Sequence, residues 1–383
     1  MRVLALAFAV VLASCTAAAP VELPTPAPTH EPGVVNVSVL LDLSGSRAPS
    51  GQPQRDAMQI WIEQLQRSDL RLRLKFVDVA GSDARLLLEL RRAAVDDRAD
   101  AVVIGAATIL DEPLMQAIQV ASIPVLLTLP ADEPVSLSGG RFSFALAPTP
   151  ERLTGLLADD LAARQSLAPM LIVGDESAPA TSERNALVAE LRRRGLTAPT
   201  PISLAASDGP QRVRTAAAVA KSLVLVGASA PYGDVIRGVP VTGSAPRVYL
   251  SYLTETADIT SLREQSALVT WPGLRWTTLP TTPVQRNFLR DFTDRHGSPS
   301  ALAATAFDAL TIIQLAALMA PSELEASQLR LRIETNAFAG VSTRYTFTPQ
   351  RHAGFPPEDV VYLRWSAQAG APFVAPEPKS TDR

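Results

Sequence analysis

The chain has 383 residues, of which 47% are hydrophobic and 19% charged, and a formal net charge of -3 at pH 7. This length suits two domains of ordinary size. A chain so close to neutral has no electrostatic attraction for phosphate backbones, which argues against nucleic acid as a partner.

The N-terminus has the layout of an export signal. Arg2 precedes an apolar stretch at 3–13, which is too short to span a membrane and is typical of a cleaved signal peptide. The next residues complete the sequence Leu12-Ala13-Ser14-Cys15, which resembles the lipobox of bacterial lipoproteins. We therefore predict a signal peptide at 1–14 and a lipid on Cys15, by which the protein is anchored to the membrane. The alternative is an ordinary signal peptide that happens to end at a cysteine.

Cys15 is the only cysteine in the sequence, so no disulfide can stabilise the folded part of the chain. Residues 15–33 are rich in Pro and Ala and lack a hydrophobic period, which predicts an extended tether. No later segment is expected to be long and apolar enough to cross a membrane. The three histidines lie far apart, so we predict no metal site and no cofactor.

From Val34 onward, apolar runs of strand length alternate with segments of helical period. Strands are predicted at 34–43, 70–79, 100–105 and 123–129, with helices between them. The strand at 70–79 alternates Leu or Phe with Arg or Lys, which is typical of a strand at a sheet edge. Continuous apolar strands separated by helices predict a parallel sheet that is covered on both faces.

The same alternation starts again near Pro150. Strands are predicted at 169–174, 222–227 and 247–253, and a helix is predicted to begin at Ser182 and to end at Gly195. A mostly helical section follows, and two strand-like pieces come last. We predict an α/β fold with two doubly wound parallel sheets in two lobes. The predicted bounds are 34–145 with 276–335 for the N-terminal lobe, 146–275 with 336–366 for the C-terminal lobe, and 367–383 for a disordered tail.

Six segments in this order resemble the type I periplasmic binding proteins, in particular the branched-chain amino-acid binding branch among the substrate-binding lipoproteins of ABC transporters. They include "VSVLLDLSGSRAPSGQPQRDAMQIWIEQL", "SIPVLLTLPADEP", "ALAATAFDAL" and "FAGVSTRYTFTPQRHAG". The resemblance covers residues 34–366. It implies two lobes that hinge and close on a small polar ligand, with the crossing segments near 145–149, 270–275 and 336–345.

In open parallel sheets, ligands bind beyond the carboxyl ends of the strands, where helix N-termini present unpaired N–H groups. The loop "SGSRAPSG" follows the first strand, and its small residues would let a ligand approach the backbone. Because a turn can need glycine for its own geometry, Ser44 is a better candidate there than Gly45. The full set of predicted ligand-binding residues is Ser44, Gly45, Ala107, Thr108, Thr128, Asp132, Asp175, Ser229, Tyr252 and Glu255.

The resemblance also shows where this sequence departs from its amino-acid-binding relatives. Those relatives hold the ligand's carboxylate and ammonium with a Ser in the loop matching "GAATI" and a Ser-Ala-Thr run in the loop matching "LTLPADEP". This sequence keeps Thr108 but has Pro130-Ala131-Asp132 in the second position, and Phe307 replaces a usual Tyr. Asp132 or Glu255 could bind an ammonium group or a hydroxyl-rich ligand.

The sequence has no Gly-x-Ser-x-Gly elbow, no Walker loop and no histidine near a strand exit that could act as a general base. We predict no catalytic residue. The predicted function is capture of a small polar ligand, an amino acid or a related compound, outside the cytoplasm by a monomeric lipoprotein that delivers it to an ABC permease. The alternative is a non-transport envelope lipoprotein of the same fold that binds a membrane or cell-wall enzyme or a sensor.

Overall fold

Two sheets with mostly parallel strands organise the chain in the computed structural model. The residues described are 31, 33–67, 69–137, 140–163, 169–204, 208–227, 232–241, 245–254, 257–320, 325–366 and 371–374. The predicted signal peptide, Cys15 and almost all of the predicted tether lie outside these residues.

The first sheet has the strand order β2-β1-β3-β4-β5, and all of its neighbouring strands are parallel. Its strands are β1 (Val34–Leu41), β2 (Arg71–Asp78), β3 (Ala101–Ile104), β4 (Val125–Leu127) and β5 (Ser143–Ala145). The alternating strand β2 lies at the edge, as predicted. The chain passes from β1 to β2 on one side and then to β3 on the other, which is the arrangement that opens a crevice at the carboxyl ends of the strands.

Both faces of this sheet are buried under helices. The helices of this lobe are α1 (Ala48–Leu65), α2 (Asp83–Val95), α3 (Glu112–Ala121), α8 (Pro283–His296), α9 (Ala301–Leu318) and α10 (Ala326–Thr335). Along β1, Val35, Val37 and Val39 pack on one face against α1, α8 and α9, whereas Leu40 packs on the other face against α2 and α3. This double cover explains why the strand sequences are continuously apolar.

Helix α9 differs from what the sequence led us to expect. Its 18 residues are long and apolar enough, by length and composition, to cross a membrane, although no such segment was predicted after the signal peptide. In the folded chain 83% of this helix is buried inside the protein. It is therefore the central helix of the first lobe, where an apolar surface on all sides is needed for packing.

The second sheet has the order β14-β13-β10-β9-β8-β6-β7. Its strands are β6 (Met170–Gly174), β7 (Ile202–Ser203), β8 (Ser222–Val226), β9 (Arg247–Leu250), β10 (Val269–Leu274), β13 (Val360–Ser366) and β14 (Ala371–Val374). The first five are parallel, and β13 and β14 add two antiparallel strands at one edge. The helices α4 (Pro150–Ala163), α5 (Ala178–Arg193), α6 (Gly209–Ala217) and α7 (Tyr232–Arg237) complete this lobe. The predicted α/β class with two doubly wound lobes is confirmed.

The closing hairpin, residues 337–354 with strands β11 (Ala337–Ala339) and β12 (Arg344–Thr346), lies on the first lobe. Phe338 and Tyr345 belong to the core that covers β1. Ala353 forms a parallel bridge with Ala145 at the open edge of the first sheet. Our boundary at 336 was therefore wrong, because the last crossing to the second lobe comes after this hairpin and just before β13.

Two further boundaries need correction. Helix α5 begins at Ala178, with Ser177 as its N-cap, so Ser182 lies inside the helix. The early start follows from Pro179, which favours the first turn of a helix. Strand β14 pairs with β13 within the segment 367–383 that we expected to be disordered, because β13 offers an edge with unpaired backbone groups.

Candidate functional site

A cavity of about 180 Å³ lies between the two sheets, where strands β3, β4 and β9 end and helix α5 begins. Since one water needs about 10–15 Å³ of such space, the cavity is large enough for a small molecule. We call it the cleft. Its lining residues are Thr108, Ile109, Leu110, Leu129, Pro130, Ala131, Asp132, Pro150, Leu153, Pro179, Ser182, Glu183, Ser251, Tyr252 and Leu253. Both lobes therefore contribute to its walls.

The first lobe places two predicted residues in the cleft. Thr108, after β3, is half-buried, and its hydroxyl makes only long contacts of 3.5 Å with Asp83 and 3.4 Å with the backbone of Ile109. Asp132, after β4, is exposed to solvent at the cleft wall. Both side chains keep the capacity to bind a ligand group.

The second lobe contributes Glu183, which the sequence analysis missed. Its Oε2 accepts a hydrogen bond from the Ser251 hydroxyl at 2.7 Å and one from the backbone N–H of Gly227 at 3.2 Å. Burial, with a smaller effect from the nearby Asp175 carboxylate, raises the pKa of Glu183 to about 7. The signal for this residue was an acidic side chain one turn into the helix that follows β6.

Glu183 points toward β8 and β9 because of the way in which α5 begins. Ser177 caps the helix by accepting a hydrogen bond from the backbone N–H of Ala180 at 3.3 Å. Asp175 in turn accepts one from the Ser177 backbone N–H at 2.9 Å. These caps fix the first turn of α5 against the strand ends, and the positive end of its dipole faces the cleft.

Tyr252 links the two lobes. It follows β9 in the second lobe, lines the cleft and is packed with Leu253 into the core cluster of the first lobe. The residue is only 3% exposed, and its hydroxyl has no hydrogen-bond partner among the residues described. A buried hydroxyl without a partner in the protein calls for a water or a ligand group.

Five of the ten predicted binding residues do not line the cleft and help to hold the fold together instead. They are Ser44, Gly45, Ala107, Thr128 and Asp175. The Ser44 hydroxyl donates to Asp78 at 2.5 Å, and Gly45 has a φ of 74°, the left-handed conformation that glycine adopts without strain. The Thr128 hydroxyl is fully buried and donates to Gln54 at 2.5 Å.

The loop between β1 and α1, residues 42–47, is called the opening loop. Asp42, which was not among the predicted binding residues, holds it in place. Its fully buried carboxylate accepts hydrogen bonds from the backbone N–H groups of Gly81 at 2.6 Å and Ala107 at 2.9 Å. Arg47 donates to the Ala107 carbonyl at 2.9 Å. Through these hydrogen bonds the loop contacts the residues that follow β2 and β3. Burial raises the pKa of the Asp42 carboxyl above its ordinary value.

The structure brings Thr108, Asp132 and Tyr252 together around one cavity. Ser229 and Glu255 lie outside the described residues. Among the residues that are described, no three His, Cys, Asp or Glu side chains are grouped so that they could hold a metal ion.

The chain belongs to the periplasmic binding protein family, because the model of that family matches residues 34–370. This is a family of binding proteins that act outside the cytoplasm. The predicted resemblance to type I periplasmic binding proteins is confirmed, and leucine-binding proteins are among the solved structures that share the fold. No curated protein sequence is significantly similar to the chain.

Several solved structures share the fold across almost the whole chain. A possible leucine/isoleucine/valine-binding protein from Rhodopirellula baltica is 16% identical with a TM-score of 0.75, covering 93% of this chain and 100% of its own. A solute-binding protein from R. palustris in complex with benzoate is 11% identical with a TM-score of 0.71, covering 89% and 95%. A leucine-binding protein from Thermotoga maritima is 14% identical with a TM-score of 0.66, covering 89% and 98%. At these identities the likeness concerns the fold alone.

Proposed function

We propose that this protein is a lipid-anchored receptor that captures a small polar ligand between its two lobes and delivers it to an ABC importer. The observation that carries the proposal is the cleft, whose polar side chains face one cavity from both lobes. Thr108 and Asp132 come from the first lobe, and Glu183 and Ser251 come from the second. A receptor that grips its ligand from two sides needs such convergent polar groups.

Capture would use the segments that cross between the lobes. The first runs from β5 to α4, the second from β10 to α8, and the third from the closing hairpin to β13. Rotation about a few residues in these segments would open and close the cleft, as in other hinged binding proteins. A ligand that contacts both walls stabilises the closed form, and a permease can recognise that form.

Membrane attachment belongs to the same proposal. Family membership accounts for a position outside the cytoplasm, and the lipobox-like sequence that ends at Cys15 supports a lipid anchor. The Pro- and Ala-rich segment at 15–33 would then hold the folded lobes away from the membrane surface. We propose that the protein acts as a monomer, since one chain supplies both walls of the cleft.

A thermal-shift screen of the purified protein tests ligand capture. The panel should hold amino acids, amides, amines, nucleosides and sugars, and a ligand at a hundredfold excess over its dissociation constant should stabilise the protein by about 3 kcal/mol. Small-angle scattering of the same samples should show a smaller radius of gyration with the ligand that stabilises. If no compound stabilises the protein, the ligand-capture proposal is overturned in favour of the alternative function, an envelope lipoprotein that binds another protein.

A further inference from the structure

We infer that the cleft takes a cationic amine with a compact hydrocarbon body and no carboxylate, rather than an amino acid. This inference rests on the proposed function, because it names the class of ligand for the same cleft.

The charges in the cleft all have one sign. Among the described residues that line it, Asp132 and Glu183 are the charged ones, and they come from opposite lobes. A cation between the lobes would face a carboxylate on each side.

A ligand carboxylate would have no cationic partner among the lining residues that the structure describes. Bringing a carboxylate out of water next to other carboxylates is unfavourable, because like charges repel and desolvation disfavours the charged form. The N-terminus of α5 offers only a partial positive charge, and the Glu183 carboxyl one turn along the helix opposes it. An amino acid therefore gains from its ammonium group and loses from its carboxylate.

No cationic side chain among the described residues forms an ion pair with Glu183. The hydrogen bonds that it accepts come from the neutral donors Ser251 and Gly227. Because the carboxyl is buried and lies near Asp175, its pKa is raised to about 7, which means that its negative charge is poorly stabilised. A bound ammonium would supply the missing stabilisation and would form a charge-assisted hydrogen bond.

The rest of the lining is suited to hydrocarbon. Leu129 lies on the first-lobe wall, Leu253 on the second-lobe wall, and Leu153 on the helix that follows the first crossing. The Tyr252 ring adds an aromatic surface of the kind that attracts cations. A cavity of about 180 Å³ has room for a short branched chain or a single ring.

Leucine and two of its derivatives test this directly. The probes are L-leucine, 3-methylbutylamine, which lacks the carboxylate, and 4-methylpentanoate, which lacks the amine. Titration calorimetry on the full chain at pH 7 should show 3-methylbutylamine binding at least tenfold more tightly than either of the others. The neutral 3-methylbutan-1-ol serves as a probe of the hydrocarbon contacts alone.

Two variants test which carboxylate of the cleft binds the ammonium group of the ligand. Glu183→Gln should weaken binding of 3-methylbutylamine about 10- to 100-fold and leave 3-methylbutan-1-ol within twofold, since a charged hydrogen bond contributes about 1.5–3 kcal/mol. Asp132→Asn should weaken amine binding by a few-fold only, because this carboxylate is exposed to solvent. Glu264→Gln and Asp294→Asn, which remove exposed charges away from the cleft lining, are the matched controls and should change nothing.

The outcomes separate the inference from the proposed function. If leucine or 4-methylpentanoate binds as tightly as the amine, or if only sugars, amides or nucleosides from the wider panel bind, the inference is overturned and the receptor function stands. Equal loss of amine and alcohol binding in Glu183→Gln also overturns it, because the residue would then only shape the cleft. If nothing binds, the inference and the ligand-capture function fail together.

Discussion

The carboxylate of Asp308, inside α9, accepts a hydrogen bond of 2.8 Å from the backbone N–H of Ser342 in the closing hairpin. The N–H of Val341 donates to the same carboxylate at 2.5 Å, and the Tyr345 hydroxyl donates at 3.0 Å. Asp308 is fully buried, and burial raises its pKa to about 6. One side chain of the core helix therefore anchors the hairpin that precedes the last crossing between the lobes.

Removing this anchor should destabilise the protein severely. Asp308→Ala leaves buried donors of Val341, Ser342 and Tyr345 without an acceptor, and we expect a loss of about 3–5 kcal/mol in the free energy of unfolding. Tyr345→Phe removes one donor of the set and should lose about 1 kcal/mol. Urea denaturation measures both values. A loss below 1 kcal/mol for Asp308→Ala would show that the hairpin is held by its apolar contacts instead.

The stability of the protein should depend on pH through Glu183. Its pKa is about 7 in the folded chain and 4.5 in the unfolded chain, so between these values the folded state holds a proton that the unfolded state has released. The stability from this group is complete below pH 4.5 and falls by roughly 3 kcal/mol as the pH rises to 7. Glu183→Gln removes the titrating carboxyl. The difference in unfolding free energy between wild type and variant should therefore change by roughly 3 kcal/mol between pH 4.5 and pH 7. A constant difference would refute the raised pKa.

Two helical glycines should respond in opposite directions to alanine. A Cβ at Gly51, in α1, would lie 2.0 Å from the backbone carbonyl oxygen of Asp42, whereas a Cβ at Gly155, in α4, would meet nothing within 4 Å. Gly51→Ala should destabilise the protein by about 3 kcal/mol or more, since the helix must move away from the opening loop. Gly155→Ala should stabilise it by about 0.5–1 kcal/mol. Thermal unfolding of the two variants measures both effects. A mild effect of Gly51→Ala would show that α1 can move away from Asp42 at little cost.

Ser44 should matter for the loop rather than for the ligand. Its hydroxyl donates to Asp78, and it does not line the cleft. Ser44→Ala should lower the free energy of unfolding by about 0.5–1.5 kcal/mol and leave the affinity for the ligand identified in the screen within twofold. Thr108→Ala, in the cleft wall, is the comparison and should weaken that affinity several-fold. If Ser44→Ala weakens binding more than Thr108→Ala does, the cleft is not the binding site.

Cys15 should decide where the protein is found in the cell. Cys15→Ala removes the thiol that would carry the lipid, and we expect the variant to leave the membrane fraction without any change in the unfolding of the lobes. Labelling with a radioactive fatty acid in a bacterial host should mark the wild type and not the variant. A wild type without label, or equal membrane binding of the two proteins, would favour the ordinary signal peptide.

Several features could be read from the sequence because they depend on local patterns. The edge position of β2 followed from its alternation of apolar and basic residues, and α3 (Glu112–Ala121) lies between two strands where a helix was predicted. Thr108, Asp132 and Tyr252 were predicted from the rule that ligands bind beyond strand ends. This rule names positions at which a ligand can lie, but it does not distinguish side chains that face the cleft from those that hold the loops together.

The sequence by itself determined the order of strands and helices, the α/β class and the division into two sheets, because hydrophobic periodicity reports which faces of an element are buried. Only the tertiary structure decided that Glu183 faces the cleft, that Asp42 and Thr128 are satisfied by distant partners, and that the closing hairpin belongs to the first lobe. These outcomes depend on residues far apart in the chain, such as Glu183 with Ser251 and Asp308 with Ser342. Their contacts arise from the way in which whole elements pack, and no local pattern in the chain records that packing.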